Sequence, residues 1–406
     1  MARAENFKYQ RQKRLDSFRM FSLFFCTNET SRIETQNKIV KIVHSTTFKF
    51  EMNLARNTKV IFESIFKYKR KLKFVYETNI RRKCVERNQR DNLKVLFFGT
   101  DKFSVPSLKA LVGEYRLNGS VSQLGLVTSF KSSSNPVRKY AGAENLNCFD
   151  WPVSTEICKM YDLGVVVSFG HLIPESIIAS FPYGMINVHA SLLPRWRGAA
   201  PIIYALMNGD TKTGVTIMRI LPKHFDIGQV IYNCVTVILA QKEILISNEC
   251  LMPELHETLS NEGASLLVDC LHNIESKIVN AREQDLHLVT YAPKVTAALA
   301  QVNWNSSAVQ VYNLYRALYS FKPLTTHWNS LLVRIVEMIL STTDATNDKP
   351  PGTVEYVKLN KCLKVTCGNG SSVRVMKLGL EGKKVMTAAE FYNGFLNKFP
   401  EKCYFS

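Results

Sequence analysis

The stretch LKVLFFG (93–99) limits the fold of this chain more than any other. An apolar run closed by a glycine has the pattern of a strand buried on both faces. TDKFSVPSLKALVG follows and reads as a turn and a helix, with Ser104 as its cap and Pro106 in its first turn. LGLVT (124–128) reads as the next strand. Strand, helix and strand in that order call for a parallel sheet covered by helices. LGVVVSFG (163–170), MINVH (185–189) and TGVTIMRI (213–220) supply further strands. Gly99 is not part of a G-x-G-x-x-G, so a dinucleotide-binding fold is weakly supported.

The 406 residues leave room for two domains and an extension. No apolar run approaches the roughly 18 residues that cross a bilayer, so no membrane partner is expected. Ten cysteines are scattered without a C-x-x-C or a Cys/His cluster, which argues against a metal site and for a reducing compartment. Residues 1–92 hold 22 of the 52 Lys+Arg but 9 of the 34 Asp+Glu, and residues 350–406 carry 9 basic against 4 acidic side chains. Positive excess at both ends suits a polyanionic partner.

Residues 1–92 show no core pattern and no Sec-type signal. Glu5, Asp16, Glu29, Glu34 and Glu51 fit a mitochondrial targeting segment badly, whereas MNLARNTKVIFESIFKYKRK from Met52 holds one acid, Glu63, among many bases. The expectation is import directed by this segment, with Met52 as the working start. A solvated basic arm that touches RNA, or an incorrectly joined gene model, would leave the same pattern.

In MINVH, Asn187 and His189 stand two apart, so they share one face of the strand while Ile186 and Val188 take the other. A Leu-Leu-Pro break, two arginines around Trp196, a glycine and Ala-Ala-Pro-Ile follow, opening a helix with Pro201 in its first turn and a stop at Gly209. A polar pair at a strand end before a helix start is where open α/β sheets place ligands, although a lone histidine is more often a core residue bonded to a carbonyl. The run Asn187-Val-His189-x-Ser191-Leu192-Leu193-Pro194-Arg195-Trp196-Arg197-Gly-Ala-Ala-Pro resembles the signature of the folate-dependent formyltransferases, within them the methionyl-tRNA formyltransferases, and LPKHFDIG (221–228) is similar to the longer turn of their mitochondrial type. The resemblance extends over residues 93–402, specific at 185–201 and looser after 300.

The resemblance implies a Rossmann-like, mostly parallel-sheet formyltransferase domain at 93–275, a linker at 276–290 and a smaller OB-like β-barrel domain at 291–406 that binds tRNA, after the basic extension 1–92. VTYAPKV (289–295) is similar to the family's hinge, and LLVRIVEMI, GTVEYVKL, KCLKVTCG and VRVMKLGL read as the short strands of a barrel, closed by a helix capped at Thr387. The helix 252–274 is expected to bury Leu255, Leu259, Leu266 and Cys270. By resemblance, the catalytic residues are Asn187, His189 and Asp226, the last in LPKHFDIGQVI, where Leu221 stands at the motif's first position and Gln229 replaces a second acid. Phe169, Gly170, Leu172, Pro174, Ser191, Leu192, Leu193, Pro194 and Gly228 would hold the donor, 10-formyltetrahydrofolate; His171 is expected to be exposed and not catalytic. Lys131, Arg138 and Lys139 in the polar loop 130–147, Arg195, Arg197, and Lys358, Lys361, Lys364, Arg374, Lys377, Lys383 and Lys384 would contact methionyl-tRNA. A monomer in the mitochondrial matrix, without metal, is expected.

Formyl transfer to an amine builds negative charge on the formyl oxygen, strips protons from an ammonium and returns one to the leaving nitrogen. Asn187 can donate to that oxygen, and His189 can add a second donor if it is charged or in the right tautomer. Asp226 nearby would raise the histidine and could accept the amine's proton, directly or through water. The rivals are a formyltransferase or formyl-folate hydrolase on the same domain that uses a sugar amine, glycinamide ribotide or water, and a catalytically inactive RNA-binding relative. A ribotide enzyme would lack the C-terminal domain, and a sugar enzyme would be expected to carry a dehydrogenase domain.

Overall fold

The computed structural model describes residues 92–220, 237–341 and 348–406. The extension with Met52, and Asp226, Gly228 and Gln229, lie outside the described residues. β1 (Leu93–Gly99), α1 (Ser104–Arg116), β2 (Val121–Thr128), α2 (Pro136–Ala143), β3 (Asn147–Asp150), α3 (Thr155–Cys158), β4 (Leu163–Val167), α4 (Glu175–Ile178) and β5 (Met185–His189) alternate along the chain. Their strands pair in parallel in the order β3-β2-β1-β4-β5. Val95, Leu96, Phe97 and Phe98 are all fully buried, which is why the first run shows no alternation. The order reverses at β1, and the crevice outside the ends of β1 and β4 is where such sheets take ligands.

After β5 come β6 (Arg197–Gly198) and α5 (Pro201–Met207). β7 (Lys212–Ile220) and β8 (Val237–Leu245) then continue the sheet with antiparallel pairing, so β5 is parallel to one neighbour and antiparallel to the other. α6 (Met252–His272) and α7 (Ile274–Val279) lead to β9 (Arg282–Glu283), which pairs with β8 as the outermost strand. Part of the stretch read as a linker is thus sheet. α6 buries Leu255, Leu259, Gly263, Leu267 and Cys270, with Leu267 taking the place expected of Leu266. It lies against the Ile186/Val188 face of β5: a Cβ at Gly263 would stand 2.9 Å from Val188 Cγ1.

Three local expectations change for physical reasons. β4 stops at Val167, short of Gly170, because side chains take its last carbonyls: Ser104 Oγ donates to Val167 O at 2.6 Å and Thr100 Oγ1 to Ser168 O at 2.9 Å. Ser104 is therefore not the cap of α1; Asp101 Oδ1 accepts its N–H at 3.2 Å and its hydroxyl at 3.1 Å. The polar loop 130–147 contains α2, since the buried Asn135 accepts the N–H groups of Val137 and Arg138, Pro136 starts the helix, and Val137 and Ala141 bury one turn apart.

β10 (Tyr291–Ala292) pairs with β6, and the chain enters α8 (Ala308–Leu318), β11 (Leu324–Trp328), β12 (Leu331–Leu340), β13 (Val354–Val357), β14 (Cys362–Thr366), β15 (Ser372–Leu380), β16 (Val385–Thr387) and α9 (Ala388–Gly394). The strands form one antiparallel sheet in the order β11-β12-β15-β14-β13, with β16 on β15. The final residues run between its two edges. Val354 N–H donates to Cys403 O (3.0 Å) and Phe405 N–H to Gly352 O (2.8 Å), while His327 and Ser406 exchange backbone bonds of 2.9 and 3.0 Å. This closes the sheet into a barrel, filled by Trp328, Phe391 and Phe405. Arg316 of α8, buried, donates to Ser247 O at 2.9 Å and so fastens the barrel domain to the first domain. Among the described residues no helix is long and apolar enough to cross a membrane.

Candidate active site

Asn187 lies beside Val166 of β4 and across from Met218 of β7. Its face of the sheet is floored by Phe98, Val166, Phe169 and Met185, with α3 and α4 beneath. Asn187 is half-buried, and among the described residues its side chain makes no hydrogen bond.

His189 shares that face one pleat further on. Its Nε2 meets the carbonyl of Trp196 at 3.0 Å. Burial pushes the imidazole below its ordinary value; the bond to the Trp196 carbonyl offsets part of this, and the charge of Arg197 adds to it. A neutral ring whose Nε2–H is bound to a carbonyl presents Nδ1 as an acceptor. The second oxyanion donor expected at His189 is therefore not what these surroundings favour.

The loop after β5 is fixed at many points. Ser191 Oγ donates to Arg195 O at 2.7 Å, and Thr216 Oγ1 donates to Ser191 O at 2.6 Å. Leu193 is buried and Leu192 and Pro194 are half-buried. Arg195 forms two bonds to Asp210, 2.8 and 2.6 Å, and lies 4.3 Å over the Trp196 ring, whose Nε1 donates to Asp210 at 2.8 Å. Arg197 donates twice to Gln284 Oε1, at 2.8 and 2.5 Å. Both arginines expected on tRNA are engaged within the chain.

At the end of β4, Phe169 is buried and packs edge-on to Phe98 (5.5 Å), Trp151 (5.1 Å) and His171 (5.0 Å). Gly170 (φ +72°), Leu172 and Pro174 are exposed beside it, and a Cβ at Gly170 would meet nothing within 4 Å. His171 is exposed. A crevice of about 460 Å³ opens here, lined among others by Thr100, Lys102, Ser129, Ser132, Asn135 and Gly170. Near its lining residues Ser132 and Asn135 in the chain, Lys131 and Lys139 are exposed, and Arg138 stacks 4.5 Å from the Phe130 ring.

The remaining basic residues stand on the barrel. Lys358 and Lys361 are exposed in the β13–β14 turn, and Lys383 and Lys384 in the β15–β16 turn. Lys364 and Arg374 are paired neighbours across β14 and β15, in line with Glu355 of β13. Lys377 is paired with Glu337 at 2.8 Å. Nothing local marks Asp210, Gln284 or Thr290, whose partners lie 14 to 94 positions away. The polar residues of VTYAPKV near a sheet edge were the one available signal.

Two family models match the chain: formyl transferase over residues 152–262, and formyl transferase C-terminal domain over residues 294–396. The human protein named mitochondrial methionyl-tRNA formyltransferase is 38% identical over 322 residues, which are 76% of this chain and 79% of that protein. A methionyl-tRNA formyltransferase of Fusobacterium nucleatum is 32% identical over 76% of this chain and 99% of its own length. Among solved structures, a sugar 3N-formyl transferase determined with dTDP and 5-N-formyl-THF superposes with a TM-score of 0.54 at 16% identity, covering 73% of this chain and 100% of that one. An N-formyltransferase from Helicobacter canadensis, in complex with folinic acid and dTDP-3-aminofucose, gives 0.52 at 16% identity, over 70% and 98%.

Proposed function

We propose, for a chain that belongs to the methionyl-tRNA formyltransferase family, that the β5 site moves the formyl group of 10-formyltetrahydrofolate to the α-amino group of methionyl-tRNA. One observation carries the reading: Asn187 and His189 share one face at the end of β5, the next strand to β4, whose end carries Phe169 and Gly170 of the crevice lining. The donor supplies the formyl carbon as an activated one-carbon unit. The surroundings fit a flat heterocycle, with the rings of Trp151, Phe169 and His171 beside the open Gly170 and the exposed Leu172 and Pro174. On the other side, Leu192, Leu193 and Pro194, in the loop that Ser191 fixes, are assigned to the same pocket, with Gly228.

Asn187 donates an amide hydrogen to the formyl oxygen as charge gathers there, a contact that strengthens only as the amine attacks. His189, with Nε2–H bound to Trp196, takes a proton from the acceptor's ammonium at Nδ1. Asp226 is assigned as a second acceptor for the amine's protons, directly or through water. It follows Ile220, which sits across from Met185, by six positions. That length of chain reaches at most about 20 Å, and Met185 to His189 spans about 13 Å. One of the two protons leaving the nitrogen returns to the folate and the other goes to solvent.

The acceptor's phosphates are assigned to Lys131, Arg138 and Lys139 at the crevice and to the lysines of the barrel. Arg195 and Arg197 are assigned to shaping the loop instead. The basic stretch from Met52 and the mitochondrial name of the human relative support action in the mitochondrial matrix. Incubation of the purified chain with 10-formyltetrahydrofolate and charged methionyl-tRNA, scored for formylmethionine, tests the reading; no product, with the folate bound, sinks it.

A further inference from the structure

Thr290 precedes β10, at the passage from one domain to the other, and all three of its polar groups meet one short loop. Its N–H donates to Pro194 O at 3.4 Å, its hydroxyl accepts the Trp196 N–H at 2.8 Å, and its carbonyl accepts the Arg197 N–H at 2.8 Å. The peptide joining Trp196 to Arg197 is thus gripped at both ends. Its N–H points to Thr290, and its C=O, on the opposite edge of the planar unit, takes the Nε2–H of His189. Trp196 holds a left-handed backbone, φ +61°, which a large side chain rarely adopts without outside support. The support comes from Asp210 on the indole and Thr290 on the backbone. Gly198 completes the contact: a Cβ there would lie 2.5 Å from the Ala292 carbonyl, so hinge and loop touch backbone to backbone.

We propose that Thr290 is a positioning residue for the transfer reaction: by fixing the Trp196–Arg197 peptide it sets the tautomer and orientation of His189. The proposal rests on the reading in which His189 handles the amine's proton. Without the Thr290 hydroxyl the Trp196 N–H loses its acceptor, and Trp196 relaxes from its left-handed backbone although Arg197 N–H keeps the Thr290 carbonyl. The Trp196 carbonyl then turns, and the imidazole no longer has one nitrogen assigned to it. Nδ1 then carries the hydrogen in part of the molecules, and those molecules have no acceptor facing the amine. Substrate binding changes little, since the one bond from Thr290 to the donor side of the loop, its N–H to Pro194 O, is a backbone contact that a side-chain replacement keeps.

The test uses the full chain with Thr290→Val, which keeps the shape and removes the hydroxyl, and Thr290→Ser, which keeps the hydroxyl. In Thr290→Val, kcat is expected to fall about ten- to hundredfold with both KM values within about twofold, the size of effect that misplacing a catalytic group produces. In 15N-histidine spectra the His189 ring, assigned by its loss in His189→Asn, is expected to shift from a single Nε2–H form to a mixture. Thr290→Ser is expected to restore both readouts. Unchanged kcat overturns the proposal, as does a fall in kcat with an unaltered His189 tautomer, which would mark a merely structural role. The spectra need no turnover, so they judge Thr290 independently. A fully active His189→Asn enzyme would instead refute the reading of His189 itself.

Discussion

The imidazole of His189 and the carbonyl of Trp196 lie 3.0 Å apart, joined across a loop rather than along a strand. The bond selects Nε2 as the protonated nitrogen of the neutral ring, while desolvation lowers the pKa of this histidine at the strand end. Activity that needs the neutral ring should persist below the ordinary histidine value of about 6.5 and fall only as pH drops through the lowered one. Stability should follow the same direction. With the folded value below the unfolded one, the unfolded chain takes up the proton first, so this contribution is complete above about pH 6.5 and declines as the solution is acidified. Thermal unfolding at several pH values, compared with His189→Asn, checks it: the variant should lose that part of the acid-side slope.

Asn187→Ala should lower kcat by about 10²- to 10³-fold, as the loss of one oxyanion donor does, while KM for the folate moves little. Asp226→Asn should nearly abolish turnover and leave folate affinity within a few-fold. Steady-state kinetics with equilibrium folate binding separates the two effects; full activity in Asp226→Asn would remove that residue from the reaction.

Exposed lysines at the β15–β16 turn should act through charge alone. Replacing both Lys383 and Lys384 by Ala should raise KM for methionyl-tRNA, leave kcat unchanged, and flatten the salt dependence of binding by about one to two in log–log slope. Titration of tRNA binding against salt reads this directly. An unchanged slope places the acceptor elsewhere.

Phe405 is completely buried against Trp304 and Phe391, in the segment that closes the barrel. Phe405→Ala should cost about 3–5 kcal/mol of stability. Calorimetry should show the loss in the unfolding of the barrel domain, and a change of less than about 1 kcal/mol would mean that the closure matters little to it.

Much of this architecture is legible in the amino-acid sequence. The buried strand 93–99, the shared face of Asn187 and His189 and the stop at Gly209 follow from side-chain period and glycine geometry, which are local properties. Other features leave no local trace. The early end of β4 depends on Thr100 and Ser104, more than sixty positions upstream, and the barrel closes through backbone bonds that any residue could make. α2 was hidden because only Val137 and Ala141 are buried in a polar setting. For His189 the sequence showed a donor with an open protonation state; burial, with the charge of Arg197 and against the pull of the Trp196 carbonyl, shifts it toward the neutral ring.

The grip of Thr290 on the signature loop also bears on how the enzyme matures. A chain grows from its N-terminus at the ribosome, and Trp196 emerges 94 residues before Thr290. The parallel strands β1 to β5 can pair in that interval, but the loop at their edge still lacks its second anchor. A nascent or proteolysed fragment ending near residue 275 would hold the reacting side chains without their lock, and formylation would begin only once the hinge had been translated.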